Sequence, residues 1–168
     1  MQLNATNAEK IISSLGMPDM PLTEHKPTPT KIAPDWFSKY KSLCKEFAMS
    51  LNDCIEELAL MNLGQEEFID LIMGRKIPEN LSIRFRIPLT MGGEMTIDNL
   101  FMCKTFPHSY NLDRFLIQQS GANIIWLPNP AKKIYLPVNT LTGGTGGNGT
   151  EDRLTETAAA QIVADRDF

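Results

Sequence analysis

Apolar residues recur at Trp36, Phe37, Tyr40, Leu43, Cys44, Phe47, Ala48 and Leu51. That spacing follows a period of about 3.6 residues and predicts an amphipathic helix, with Asp35 placed to cap its start. The pattern restarts at Asn52 or Asp53 and runs through Ile55, Leu58, Ala59 and Met61 to Leu63, where Gly64 ends it. Gln65–Met73 predicts a third, short helix, with Glu66, Glu67 and Asp70 near the end where a helix dipole favours acids. The period then changes. Leu81–Ile87 alternates apolar and polar residues as a half-buried strand does, Gly92-Gly93 permits a sharp reversal, and Asn99–Cys103 is a short apolar second strand. Helical spacing returns over His108–Ile117 through Leu112, Phe115 and Leu116. Asn123–Leu127 and Lys133–Val138 flank Pro128-Asn129-Pro130 and predict a hairpin. The expected fold class is α+β: N-terminal helices, then a strand–strand–helix core, then a β-hairpin.

Both ends read differently from this body. Residues 1–34 hold a short helical stretch, Ala8–Leu15, followed by Pro18, Pro21, Pro27, Pro29 and Pro34 among threonines, the composition of an extended arm. His25 stands there among polar residues and reads as a solvated side chain. Residues 141–168 begin with a Gly-rich linker, Gly143 to Gly149, and continue as an acidic tail expected to be disordered. From Thr150 to Phe168 there are five acidic and two basic residues, which is −3 of the chain's −4. The body, residues 35–140, is left near neutrality.

Composition narrows the function classes. A 168-residue chain that is 42% hydrophobic has enough apolar material for one real core. A net charge of −4 excludes a generally basic nucleic-acid coat, while leaving room for a local basic patch. Cys44, Cys54 and Cys103 are odd in number and form no C-x-x-C pair, which argues against a disulfide framework or a cysteine-rich zinc site. Reduced thiols, the absence of a secretory-type leader and the lack of about 18 consecutive apolar residues together predict a cytoplasmic protein with no membrane span.

The order of motifs in the core resembles a known family. Arg84-Phe85-Arg86-Ile87-Pro88-Leu89 is followed by Gly92-Gly93, then by Asn99-Leu100, then by Pro107-His108. This resembles the HNH, or ββα-metal, nucleases, toxin-type members especially, whose cores often read H-H-x-I-P-L, G-G, N-L and a final His. Gly74-Arg75-Lys76-Ile77-Pro78 resembles the segment that often precedes the first strand in such members. The resemblance covers about a quarter of the chain, from Gly74 to Leu116. It implies a strand carrying a general-base histidine, an asparagine that orients the base, and a helix that supplies a metal-binding histidine.

The departure from that pattern falls on the chemistry. Arg84 and Phe85 stand where the paired histidines belong. Phenylalanine accepts no proton and binds no metal, and arginine stays protonated. The remnants are Asn99 and His108, with His108 the one candidate metal ligand. The expectation is therefore a pseudo-nuclease with no catalytic residues and no cofactor, a divalent metal being implied only if nuclease activity persists. Its role would be binding. Arg75, Lys76, Arg84, Arg86, Lys104 and Arg114 are candidates for a basic face that takes DNA or RNA phosphates, and solvated strand edges also favour such charges. Asp165, Asp167 and Phe168 resemble the partner-recruiting ends of bacterial and phage single-stranded-DNA-binding proteins and are candidates for a protein contact. The alternatives are an active endonuclease with a non-standard base, and a structural adaptor of a phage, mobile element or secretion system.

Overall fold

The computed structural model describes residues 2–136. The chain runs α1 (Ala5–Ser14), β1 (Leu22–His25), α2 (Trp36–Ser50), α3 (Ile55–Ala59), α4 (Gln65–Ile72), β2 (Leu81–Phe85), β3 (Leu100–Lys104), α5 (Tyr110–Gln118) and β4 (Ile125–Pro128). The fold is α+β. Among the described residues no helix is long and apolar enough to cross a membrane.

β3 explains the architecture. Its first four residues, Leu100–Cys103, are apolar because both faces are covered. Leu100 and Met102 point into a core built with Phe47, Leu51, Leu58 and Leu71 of the α2–α4 region, joined by Leu81 and Ile83 of β2. Phe101 and Cys103 point the other way, into a core shared with Ile12, Met17, Leu112 and Phe115. β2 pairs antiparallel with β3, Ile83 opposite Met102 and Arg84 opposite Phe101. β2 alternates because one of its faces meets the apolar α2 side, whereas Ser82 and Arg84 look toward Thr105 and α5.

Local signals hold to differing degrees. Asp35 precedes α2 without a side-chain capping bond and pairs instead with Lys39 at 3.4 Å, an exposed contact worth little. The helix after Asn52 is shorter than its apolar pattern suggests, ending at Ala59. Gly64 opens α4 as its cap residue, its N–H donating to Glu67 Oε1 at 3.1 Å.

Three expectations are corrected. The stretch 1–34 is not a detached arm. Leu3, Ala8, Ile12, Met17 and Met20 are buried, and β1 pairs with β4. Proline restricts the backbone there but leaves enough apolar side chains to bury. His25 is tied down as well, its Nε2 lying 2.8 Å from the Met91 carbonyl. The hairpin around Pro128-Asn129-Pro130 does not form. Ile125–Pro128 takes β1 as its partner, and the chain at Ile134 runs parallel to β3, with Met102 N–H donating to Lys133 O (2.7 Å) and Tyr135 N–H to Met102 O (2.8 Å). Two flanking apolar runs show that strands exist but not which strands they join. Val138, the Gly-rich linker, the acidic tail and Asp165, Asp167 and Phe168 lie outside the described residues.

Candidate functional site

The residues that carry the HNH resemblance come together as β2, a long loop, β3 and α5. Asn99 organises the loop. It is buried, its Oδ1 accepts from Ile87 N–H at 2.9 Å, and its Nδ2 donates to the carbonyls of Ile87 and Glu94, both at 2.9 Å. One amide side chain thus uses its acceptor and both donors to pin the loop. The glycines have separate tasks. Gly92 adopts φ +97°, a left-handed turn, whereas Gly93 lies so close to Ile87 that a Cβ would come within 1.9 Å of the Ile87 oxygen.

Arg84 joins strand to helix. Its Nη1 donates to Ser109 O (2.8 Å) and Ser109 Oγ (2.9 Å), and its Nη2 donates to Asp113 Oδ1 (2.9 Å). Its side chain is 13% exposed, whereas that of Asp113 is 64% exposed, so the pair is shielded at the guanidinium end only. Phe85 leaves on the opposite face and packs against Tyr40, ring centroids 5.2 Å apart. Arg86 returns to the Arg84 face. It lies over the Phe101 ring at 5.6 Å and donates to the carbonyls of Asp98 (3.0 Å), Lys132 (3.3 Å) and Pro130. Burial pulls its pKa below the ordinary value, with Asp98 opposing.

His108 is buried behind this clamp. Its ring stands edge-on to Tyr135 at 5.4 Å, and neither its Nδ1 nor the Tyr135 hydroxyl has a partner among the described residues. Burial, helped by nearby Lys104, pushes its pKa from 6.5 down to about 4. On acidification the unfolded chain takes up this proton before the folded one does. Stability from His108 is therefore complete above about pH 6.5 and lost as the pH falls toward 4. It amounts to about 3 kcal/mol across the window, at about 1.4 kcal/mol per pH unit. Urea unfolding at pH 7 and pH 5 should show much of this loss, and His108→Phe should remove its share of the slope.

These side chains do not make a ligand set for a divalent ion. A guanidinium takes the strand position, Asp113 already receives it, Phe85 has no donor atom, and His108 is enclosed beside Tyr135. Among the described residues no three His, Cys, Asp or Glu side chains gather.

The remaining cations spread over other elements. Arg75, just after α4, pairs with Asp70 at 3.7 Å, and Lys76 follows it on the exposed surface. Arg114 of α5 lies over the Tyr110 ring at 6.0 Å, and Lys104 ends β3 next to His108. Arg84 and Arg86 do share a face, but the donors they use go to the protein's own carbonyls, Ser109 and Asp113, and Arg84 Nε is buried without a partner among the described residues. The sequence could not show this, since those acceptors come from loops and from a helix turn.

A feature missed by pattern reading lies along β2. Trp36, Phe37 and Tyr40 of α2 form one wall of a groove of about 820 Å³, Leu116 and Ile117 of α5 form the other, and β2 is its floor. Ile117 is 70% exposed. The Tyr40 hydroxyl crosses the groove and donates to the Ile83 carbonyl at 2.6 Å. The only sequence signal was an aromatic cluster at the start of α2, which reads equally well as core. Compared with protein-family models, with curated proteins and with solved structures, the chain matches none.

Proposed function

We propose that this chain is a catalytically degenerate HNH-like module that binds protein through the groove beside β2. The observation that carries this reading is the groove itself: aromatic and aliphatic walls with an ion pair, Arg84–Asp113, at one side. Apolar pockets with few polar groups are where proteins take apolar side chains. The alternative of a nucleic-acid partner receives less support, because Arg84 and Arg86 direct their terminal guanidinium donors to partners within the fold and the remaining Arg84 donor, Nε, is buried, whereas phosphate recognition needs donors exposed. On this reading the protein needs no metal, and a cytoplasmic setting suits three free thiols, two of them buried. An adaptor within a larger assembly is compatible with the same groove.

Nicking of supercoiled plasmid tests the loss of catalysis. With Mg²⁺, Mn²⁺, Ni²⁺ or Zn²⁺ the wild type is expected to give no relaxed or linear product above a protein-free control. Metal-dependent nicking that disappears in His108→Ala would restore the nuclease reading.

A further inference from the structure

We infer that the groove accepts an extended, mainly apolar peptide segment of a partner protein, carrying one carboxylate, which adds as a strand to the outer edge of β2. This deepens the protein-binding reading and rests on it.

Hydrogen bonding at the edge supplies the first argument. Antiparallel strands alternate between pairs that exchange hydrogen bonds and pairs that do not. Met102 spends its N–H on Lys133 and its carbonyl on Tyr135, so it does not bond the residue opposite, Ile83. The N–H and C=O of Ile83 therefore face outward, into the groove, and those of Phe85, two residues on, do the same. The Tyr40 bond to the Ile83 carbonyl agrees with this parity. Among the described residues neither the Ile83 nor the Phe85 N–H has an acceptor, although Ile83 is 4% exposed. A donor so enclosed is costly to leave unpaired.

The outer edge of β4, by contrast, is closed. At β4 the outward groups belong to Trp126 and its neighbour Ile124. Gln119 accepts from Trp126 N–H (2.6 Å) and donates to Trp126 O (2.9 Å). Gln2 does the same at Ile124, at 3.2 and 2.8 Å. Two side-chain amides thus stand in for a missing strand. At β2 a single tyrosine hydroxyl reaches one carbonyl, that of Ile83, where β4 has two side-chain amides.

The walls and the charge define the occupant. Side chains of an added strand would alternate between Trp36 and Phe37 on one side and Leu116 and Ile117 on the other, so apolar residues suit both faces of the segment. Arg84 and Asp113 neutralise each other. Lys41 is then the groove's unbalanced charge, its ammonium 6.0 Å from the Phe37 ring and no carboxylate within ion-pair distance among the described residues. A single acidic residue at that end of the peptide complements it.

The test starts from a display library of linear heptapeptides panned on the full chain and counter-selected on a Trp36→Arg, Ile117→Arg double variant. Recovered peptides are expected to be apolar with one acid. Bound peptide should slow amide exchange at Ile83 and Phe85, and N-methylation of alternate peptide amides should abolish binding. Lys41→Glu should weaken it roughly threefold, as exposed ion pairs do. Tyr40→Phe should strengthen it roughly threefold to tenfold, because the freed Ile83 carbonyl can take the peptide's own N–H. A hydroxyl that merely supported the fold would not improve binding when removed. Failure to recover groove-dependent peptides would overturn the protein-binding reading itself. Groove-dependent peptides that leave Ile83 and Phe85 unprotected, and that tolerate N-methylation, would overturn strand addition alone. Protection of these amides in the isolated chain would overturn the partner peptide: if it grew with concentration the occupant is a second copy, and if it vanished on truncation after Asn139 the occupant is the chain's own C-terminal segment.

Discussion

Replacing Gly93 by alanine is expected to cost about 4 kcal/mol or more, at the upper end of single-residue effects. The new Cβ would lie 1.9 Å from the Ile87 oxygen, 2.7 Å from its carbonyl carbon and 2.9 Å from the Pro88 oxygen. All three are backbone atoms, so no side chain can turn aside to make room. The loop would have to back away from Ile87, surrendering the Gly93 N–H bond to Pro88 O (3.0 Å) and straining the bonds of Asn99. Gly92→Ala supplies the comparison. There the difficulty is the left-handed φ, worth about 1–2 kcal/mol, and the nearest atom is a Thr28 side-chain carbon at 3.3 Å. Denaturant unfolding of both variants should separate these costs. A Gly93→Ala protein within about 0.5 kcal/mol of wild type would mean the loop has another conformation of similar energy.

Asn99→Ala is the second large loss. The substitution removes three hydrogen bonds at once and leaves the Ile87 amide without its acceptor. At about 1 kcal/mol for each bond, with a further penalty for a half-buried unpaired donor, the expected loss is about 4 kcal/mol. The damage should be local in character. Limited proteolysis ought to cut first within residues 88–98, before the helices yield. Unchanged stability and unchanged cleavage would show that the loop is held by its glycines and by His25 rather than by the asparagine.

The parts legible in the sequence were those fixed by short-range spacing. The long apolar period marks α2, the alternation over Leu81–Ile87 marks β2, and the short apolar run Asn99–Cys103 marks β3, which starts one residue later. Asn99 and the double glycine stand out in the sequence as a motif, and each has a specific backbone task. What stayed hidden depends on which distant pieces meet. Proline-rich composition concealed that β1 finds β4, because proline speaks for backbone freedom and not for burial. Arg84 and Arg86 looked like phosphate ligands because their acceptors, the carbonyls of Ser109, Asp98, Pro130 and Lys132, are invisible in a side-chain pattern. The role of Gln119 is hidden for the same reason. Its partner is the backbone of Trp126, seven residues on and across a turn.

The placement of β3 carries a consequence for how the protein comes apart. Leu100 and Met102 belong to one hydrophobic cluster and Phe101 and Cys103 to the other, on alternate residues of the same five-residue strand. Neither cluster can lose its share of the strand while the other keeps its own, since rotating or withdrawing β3 strips both. The cluster of α2–α4 and the cluster of α1 and α5 are thereby coupled into one cooperative unit, with the strand as the shared member. Fraying can begin at α1, at the loop near Gly92 or at the end of α5. Loss of β3 removes Leu100 and Met102 from one cluster and Phe101 and Cys103 from the other in a single event.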